Sequence, residues 1–158
     1  MATASPNDPY ASHIPFLTRI GKGVHSVLEL GCGLYSTSLF LDLTVYPDLV
    51  KLVSVEHDYT WARRMALDPR LTMIITPEPI EDYLATLNLG QFNLIFVDNS
   101  TDWETRAKTI RWLAQQDLGQ ARVVIHDYEY ASYQEAAAGF TRRIVDSTTL
   151  PHTAMVWK

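Results

Sequence analysis

The chain has 158 residues, the size of a single domain, and a composition of 47% hydrophobic and 20% charged residues excludes a disordered or fibrous protein. The formal net charge of −5 argues against nucleic acid as a partner, because binding to phosphates needs clustered Lys and Arg. The single cysteine excludes an internal disulfide, and no run approaches the roughly 18 apolar residues of a membrane span, so we expect a cytoplasmic protein without membrane contact.

Residues 1–23 are predicted to form an N-terminal arm that contains a short helix. The first twelve residues are rich in Pro, Asn and Asp, which favour turns, so this segment is either a tail or a lid over a ligand. The apolar spacing from 10 to 20 allows a short helix, and Gly21 and Gly23 end it. The folded domain itself is expected to cover 24–158.

Within 24–158, short apolar runs alternate with segments of helical spacing. The runs are rich in Val, Ile and Leu and are predicted as buried parallel strands at 24–30, 49–56, 71–76, 92–98 and 121–127. The helical segments are predicted at 35–44, 59–67, 80–88, 103–116 and 131–140. The last two runs, 142–150 and 153–158, are too close for a parallel crossover. The sequence therefore predicts an α/β fold, doubly wound and mostly parallel, with seven strands and an antiparallel C-terminal strand.

A glycine turn follows the first strand, in the stretch Val27 to Thr37 that includes Gly31-Cys32-Gly33. Glycines between a buried strand and a helix allow the backbone to approach a ligand closely, and the helix offers free N–H groups. We interpret this turn as a nucleotide-type cradle. A tight turn without a ligand is the alternative.

The charge near this turn bears on the kind of ligand. Ser36 stands where a dinucleotide fingerprint has its third small residue, and Glu29 lies two residues before the first glycine. A carboxylate there would repel a pyrophosphate but attract the ammonium group of an amino-acid-bearing nucleoside such as S-adenosylmethionine. The second strand ends in Glu56, whose spacing from the turn suits hydrogen bonds to ribose hydroxyls. A solvated strand end is the alternative for Glu56.

The sequence resembles the class I S-adenosylmethionine-dependent methyltransferases over roughly 24 to 158, through ELGCG, Glu56 and the two terminal strands. The resemblance implies a Rossmann-like domain that binds S-adenosylmethionine. In that family the glycine turn holds the methionine part, the acid after the second strand holds the ribose, and a segment after the third strand lies beside the adenine. It implies contacts to the cofactor from Glu29, Gly31, Cys32, Gly33, Ser36, Glu56, Glu78 and Asp98.

Charged residues end the fourth and fifth strands, at Asp98, His126 and Asp127. The carboxyl ends of parallel strands share one rim, where a doubly wound sheet binds its ligands. A hydroxyl acceptor must lose a proton before it attacks a methyl group, so we assign these three residues to catalysis. Either His126 or Asp98 is the base, or Asp98 and Asp127 hold Mg²⁺. The alternatives are that Asp127 only caps the next helix and that His126 is a satisfied buried side chain.

The segment HDYEYASYQEAAAGF resembles sugar and polysaccharide O-methyltransferases at the corresponding place. This resemblance implies a small or sugar-like hydroxyl acceptor. Three tyrosines nearby form either an acceptor wall or ordinary packing, namely Tyr128, Tyr130 and Tyr133. Four residues of the predicted helix at 103–116 are interpreted as its core and solvent faces, namely Trp103, Arg106, Arg111 and Trp112.

The leading hypothesis is a compact methyltransferase. Three alternatives stay open: an aminopropyl transferase on the same cradle, a dinucleotide oxidoreductase, and a module that binds the cofactor without chemistry. Only about 23 residues precede the first strand, so the acceptor pocket of one copy is expected to be incomplete. A homodimer would complete it if the arm, with Tyr10 and His13, closed the partner's crevice.

Overall fold

The structure is a computed structural model, and it describes residues 8–158. The predicted tail or lid therefore lies partly outside the described residues, since it begins at residue 1. Within 8–158, no helix has both the length and the apolar content needed to cross a membrane.

Seven strands form one sheet in the order β3-β2-β1-β4-β5-β7-β6. Strands β1 to β5 run parallel, whereas β7 is antiparallel to both β5 and β6, which confirms the predicted mixed sheet. The sheet grows in one direction from β1 to β3 and in the other from β4 onward, so a crevice opens beyond the carboxyl ends of β1 and β4. The strand bounds are β1 Ser26–Leu30, β2 Lys51–Glu56, β3 Leu71–Ile75, β4 Leu94–Val97, β5 Arg122–His126, β6 Arg142–Asp146 and β7 Thr153–Trp157.

Helices connect the strands and cover both faces of the sheet. Their bounds are α1 Ile14–Ile20, α2 Ser36–Leu41, α3 Tyr59–Ala62, α4 Glu81–Leu84, α5 Trp103–Gln115 and α6 Ala131–Ala136. Side chains start two of them, because the carboxylate of Asp58 accepts from the amides of Thr60 and Trp61, and that of Asp102 from the amide of Thr105.

Helices α3 and α4 are shorter than the sequence predicts. Each has four residues, whereas the apolar spacing predicts helices over 59–67 and 80–88. After α3, the amide of Met65 bonds to the carbonyl of Ala62, and after α4 the amide of Leu87 bonds to that of Leu84. In each bond the amide lies three residues after the carbonyl, the 3₁₀ pattern that tightens the last turn and ends an α-helix.

Two apolar cores sandwich the sheet. The core under α4, α5 and α6 takes alternate residues of the central strands, whereas α1 and α2 cover the opposite face. Helix α1 buries Phe16 and Leu17 against Val27 and Phe40, so the segment before the predicted boundary at residue 23 packs on the same sheet. The division into an arm and a domain stays a prediction.

Candidate functional site

A cavity of about 910 Å³ lies at the carboxyl ends of β1, β2, β4 and β5. Its walls come from the β1–α2 turn, from the residues after these strands and from the N-terminal segment that begins at Asp8. The volume falls within the range of small-molecule sites, and the position is the switch point of the sheet. Most of the predicted site residues meet here.

The glycine turn forms one wall of the cavity, with Gly31, Cys32 and Gly33. Gly31 has φ +83, a conformation that disfavours other residues. A Cβ on Gly31 would come within 2.7 Å of the carbonyl carbon of Asp98 and 2.8 Å of Cα of Asn99. Gly31 therefore allows a close approach to the residues after β4, and its predicted contact with a ligand stays a prediction.

Glu29 lies under the turn and does not line the cavity. Its carboxylate is fully buried and accepts hydrogen bonds from the hydroxyls of Ser36 at 2.6 Å, Thr37 at 2.8 Å and Ser54. The hydroxyl of Thr37 also accepts from the amide of Gly33 at 3.1 Å, so Glu29 supports the turn from below. Burial raises the pKa of Glu29 to about 7, although the three hydroxyl donors oppose the shift.

Ser36, the first residue of α2, lines the cavity, unlike Glu29. Its hydroxyl donates a hydrogen bond to the carboxylate of Glu29. Glu78 follows β3 and is absent from the lining. Its Oε2 accepts from the amide of Ile80 at 3.3 Å, and its Oε1 lies 3.6 Å from Nδ1 of His57. The structure thus brings Ser36 to the predicted site but leaves Glu78 outside it.

Glu56, by contrast, faces the cavity while remaining 6% exposed. Oε1 accepts from the amides of His57 at 2.8 Å and Asp58 at 2.9 Å, and Oε2 accepts from the amide of Cys32 at 3.2 Å. Trp61 closes this end, because its indole N–H donates to the carbonyl of Cys32 at 2.6 Å. Backbone amides therefore fix the carboxylate, and Oε2, which accepts from one amide, keeps acceptor capacity for a ligand.

Arg106 organises the opposite wall. It is 5% exposed, and its guanidinium lies 2.9 Å from Oδ1 of Asp98 and 2.5 Å from Oδ2 of Asp127. It also donates to the carbonyls of Asn99 at 3.0 Å and Ser100 at 2.7 Å. Asp127 and Ser100 adopt positive φ, so one side chain holds two unusual loop conformations.

The guanidinium occupies the place between the two carboxylates where the sequence indicated a possible Mg²⁺. The geometry therefore does not support Mg²⁺ held by Asp98 and Asp127. The structure also removes the capping alternative for Asp127, because the N-cap of α6 is Tyr130 and none of the described side chains, Asp127 included, caps that helix.

His126 lies behind Asp98 and is 4% exposed. Its Nδ1 is 3.3 Å from Oδ1 of Asp98 and 3.6 Å from Oδ1 of Asp127, and its Nε2 is 2.9 Å from the hydroxyl of Ser12. Burial lowers the pKa of His126, but the hydrogen bond and charge of Asp98 outweigh it and the net shift is upward. Both ring nitrogens have partners, so His126 does not present a free nitrogen to an acceptor.

Asp98 is partly exposed to the cavity, and its side chain has an exposed fraction of 26%. Burial alone would raise the pKa of Asp98, but the hydrogen bond from His126 and the charge of Arg106 hold it below its ordinary value. Within the described part of the chain, no residue bonds to Oδ2 of Asp98. The cavity thus contains an ionised carboxylate oxygen that can accept a hydrogen bond from a ligand.

The N-terminal segment lies across the cavity of its own chain. Tyr35 donates to Oδ2 of Asp8 at 2.6 Å, and Tyr10 and His13 line the cavity. Closing this cavity therefore does not require a second copy, although the predicted homodimer stays a prediction. Among the predicted tyrosines, Tyr128 and Tyr133 pack in the core, and Tyr130 and Tyr133 line the cavity.

Sequence reasoning missed three site residues, namely His13 as a wall of its own chain's cavity, Trp61 and Arg106. Arg106 was interpreted as part of the ordinary faces of its helix, because helical spacing alone does not show which strand ends it meets. The apolar stem and charged tip of an arginine suit either position. The available signal was a cationic side chain on the helix that connects the two strands followed by acids.

No protein-family model matches the sequence, and no curated protein sequence is similar to it. Solved structures do match. Cofactor-bound Rv0187 from MTB is 19% identical, with a TM-score of 0.62 over 99% of this chain and 81% of that one. The SAH-bound methyltransferase PaMTH1 from Podospora anserina is 17% identical, with a TM-score of 0.67 over 90% of this chain and 76% of that one. The chain has the class I methyltransferase fold.

The same fold also occurs in a different kind of enzyme. The spermidine synthase from Thermotoga maritima is 15% identical, with a TM-score of 0.55, and the match covers 92% of this chain but 57% of that one. The class I methyltransferase fold therefore leaves the reaction to be argued from the site.

Proposed function

We propose that this chain is an S-adenosylmethionine-dependent methyltransferase that acts on the hydroxyl group of a small or sugar-like acceptor. The observation that carries the proposal is Glu56, a carboxylate that three backbone amides orient toward a cavity of about 910 Å³. Sharing a fold with the SAH-bound Podospora anserina methyltransferase supports it, but the argument rests on the site.

The residues present fit such a cofactor. An ionised carboxylate offers about four acceptor positions, and Glu56 uses three of them for backbone amides and part of the remainder for the Cys32 thiol at 3.6 Å. Its accessible edge suits ribose hydroxyls as donors. The turn Gly31–Gly33 lies beside it with little side-chain bulk, which suits the methionine part.

Bound S-adenosylmethionine supplies a methyl group on a positively charged sulfonium. The protein's part is to hold the cofactor, exclude water and orient the acceptor. We assign the orientation to Asp98, whose Oδ2 accepts a hydrogen bond from the acceptor hydroxyl. Arg106 keeps Asp98 ionised, and His126 and Asp127 act as positioning residues that fix Asp98 and Arg106.

Glu29 has a different part from the one that its spacing indicated. Because it is fully buried beneath the turn, we assign it to holding Thr37 and the amide of Gly33 rather than to contacting the ligand. A charge below the turn would still favour a cationic ligand above it.

A second candidate is aminopropyl transfer to a polyamine. The lining favours it, because among residues 8–158 it contains five carboxylates and one Arg or Lys side chain, that of Arg106. The carboxylates belong to Asp8, Glu56, Asp58, Asp98 and Asp127. A polyamine would bind through these charges. Mass-spectrometric analysis of the product separates the two reactions, since only one of them transfers a methyl group.

Calorimetry with S-adenosylhomocysteine tests the cofactor assignment. We expect wild-type protein to bind it, and we expect Glu56→Gln to weaken binding by about 1 to 3 kcal/mol, the cost of losing hydrogen bonds to a charged group. The exposed Glu104 on α5 provides the matched control, and Glu104→Gln is expected to leave the affinity unchanged. Equal affinities for wild type and Glu56→Gln would reject the ribose role of Glu56. Preferential binding of NAD would indicate a dinucleotide, not S-adenosylmethionine, as the cofactor.

A further inference from the structure

Three side chains at the floor of the cavity lie close enough to share one ion. His13, Asp98 and His126 each offer one ligand atom, and these atoms lie within 4.8 Å of one another. They come from the residue before α1, from the end of β4 and from the last residue of β5. The fold therefore brings together donors that are far apart in sequence.

His13 is the observation that the proposed function leaves unexplained. It is 2% exposed, and neither of its ring nitrogens has a hydrogen-bond partner among the described residues. A buried polar ring without partners is costly, and a missing ligand accounts for it.

The geometry around His126 suits the same interpretation. The hydroxyl of Ser12 lies 2.9 Å from Nε2 of His126, and Nδ1 lies 3.3 Å from Oδ1 of Asp98, to which it donates when it carries a proton. A metal ion would take the place of that proton, with the remaining ring proton on Nε2 donated to Ser12. In metal sites the second ring nitrogen of a histidine ligand is usually held by a hydrogen bond, as Ser12 holds this one.

The donor set indicates the class of metal. Two imidazole nitrogens and one carboxylate suit first-row transition dications such as Zn²⁺, Co²⁺ and Mn²⁺, whereas Mg²⁺ prefers oxygen ligands. The carboxylates of Asp98 and Asp127 share one guanidinium, that of Arg106, so the surroundings are favourable to a cation. We propose that His13, Asp98 and His126 form a binding site for one transition-metal dication.

Three protein ligands leave coordination positions open toward the cavity, the arrangement of catalytic rather than structural sites. This role rests on the proposed function: the ion would bind the acceptor hydroxyl beside Asp98 and lower its pKa, so that the hydroxyl loses its proton to solvent more readily. This would supply the activation that His126, with both nitrogens engaged, does not offer.

The test uses full-length protein freed of metal by a chelator and then titrated with Co²⁺. We expect one equivalent to bind, with visible absorption bands from the coordinated ion and displacement by Zn²⁺ but not by Mg²⁺. Both His13→Ala and His126→Ala are expected to weaken Co²⁺ binding more than about 100-fold, beyond the effect of losing an outer partner. His25→Ala is the control, because His25 is exposed and bonds to the carbonyl of Asp48.

Several results would overturn the site: no stoichiometric Co²⁺ binding, binding that His13→Ala leaves intact, or displacement of Co²⁺ by Mg²⁺. If the His13→Ala protein does not fold, His13→Gln is used instead, because glutamine keeps the size and polarity of the side chain. The proposal requires that this variant also loses Co²⁺ binding. Binding of S-adenosylhomocysteine by metal-free protein is measured separately. Co²⁺ binding without nucleoside binding would refute the proposed function alone, and the reverse would refute the metal site alone.

Discussion

The replacement Arg106→Met tests whether the guanidinium of Arg106 holds together the residues that follow β4 and β5. Methionine keeps the length and apolar stem of arginine but removes every donor of the guanidinium. Two carboxylates, of Asp98 and Asp127, then lose their cation, and the carbonyls of Asn99 and Ser100 lose a donor. The side chain is 5% exposed, so water does not replace these bonds without rearrangement.

The expected cost follows from the burial of each partner. Removing one member of a buried ion pair costs about 3 to 5 kcal/mol, because the remaining charge is left uncompensated. The side chains of Asp98 and Asp127 are 26% and 21% exposed, so partial hydration moves the estimate to the lower end. We expect Arg106→Met to lower the free energy of unfolding by about 3 kcal/mol, and Arg106→Lys to recover part of it, since lysine keeps the charge without the planar fork.

Urea unfolding with a metal chelator present measures this loss without interference from bound ions. Arg111→Met is the matched control, because Arg111 is exposed on the same helix, and a change within about 0.5 kcal/mol is expected. If Arg106→Met destabilised the protein no more than Arg111→Met, the guanidinium would not be holding the two loops and the reasoning would fail.

The remaining predictions concern the glycine turn. Glu29 has an ordinary pKa of 4.5 and a folded pKa of about 7, so the folded state holds its proton more tightly and stability falls as pH rises through this window, by about 3 kcal/mol. Urea unfolding of wild type and Glu29→Gln at pH 4.5 and pH 7.5 should show this dependence only in wild type, and parallel curves would refute it. Gly31→Ala should cost about 2 to 5 kcal/mol, from its φ of +83 and the backbone of Asp98. Gly23→Ala should cost only about 1 to 2 kcal/mol, because Gly23 has φ +78 but an added Cβ would have none of the described atoms within 4 Å; equal losses would contradict the packing argument.

The sheet and its switch point could be predicted from the sequence because local patterns determine them. Each of the five parallel strands coincides with a short apolar run, and the brief connection before β7 allows only an antiparallel return. The place of Glu56 at the cavity could be predicted for the same reason, since an acid at the end of a buried strand falls on the rim. Where the helices end was less predictable, because α3 and α4 stop through three-residue turns that apolar spacing does not show.

The contacts between side chains depend on topology that no local pattern contains. Ser12 and His126 are 114 positions apart and meet only because α1 packs beside β5. Glu29 was predicted at the ligand from its place before the turn, yet a strand alternates its faces and Glu29 points with Val27 toward α2. There the hydroxyls of Ser36 and Thr37 bind it, seven and eight positions later in the chain.

The measurement that tests the central claim most directly is a crystal structure of the chain grown with saturating S-adenosylhomocysteine. We expect the nucleoside in the cavity of about 910 Å³, with its ribose hydroxyls at about 3 Å or less from the carboxylate of Glu56 and its homocysteine part beside Gly33. A nucleoside bound elsewhere, or a ribose turned away from Glu56, would contradict it.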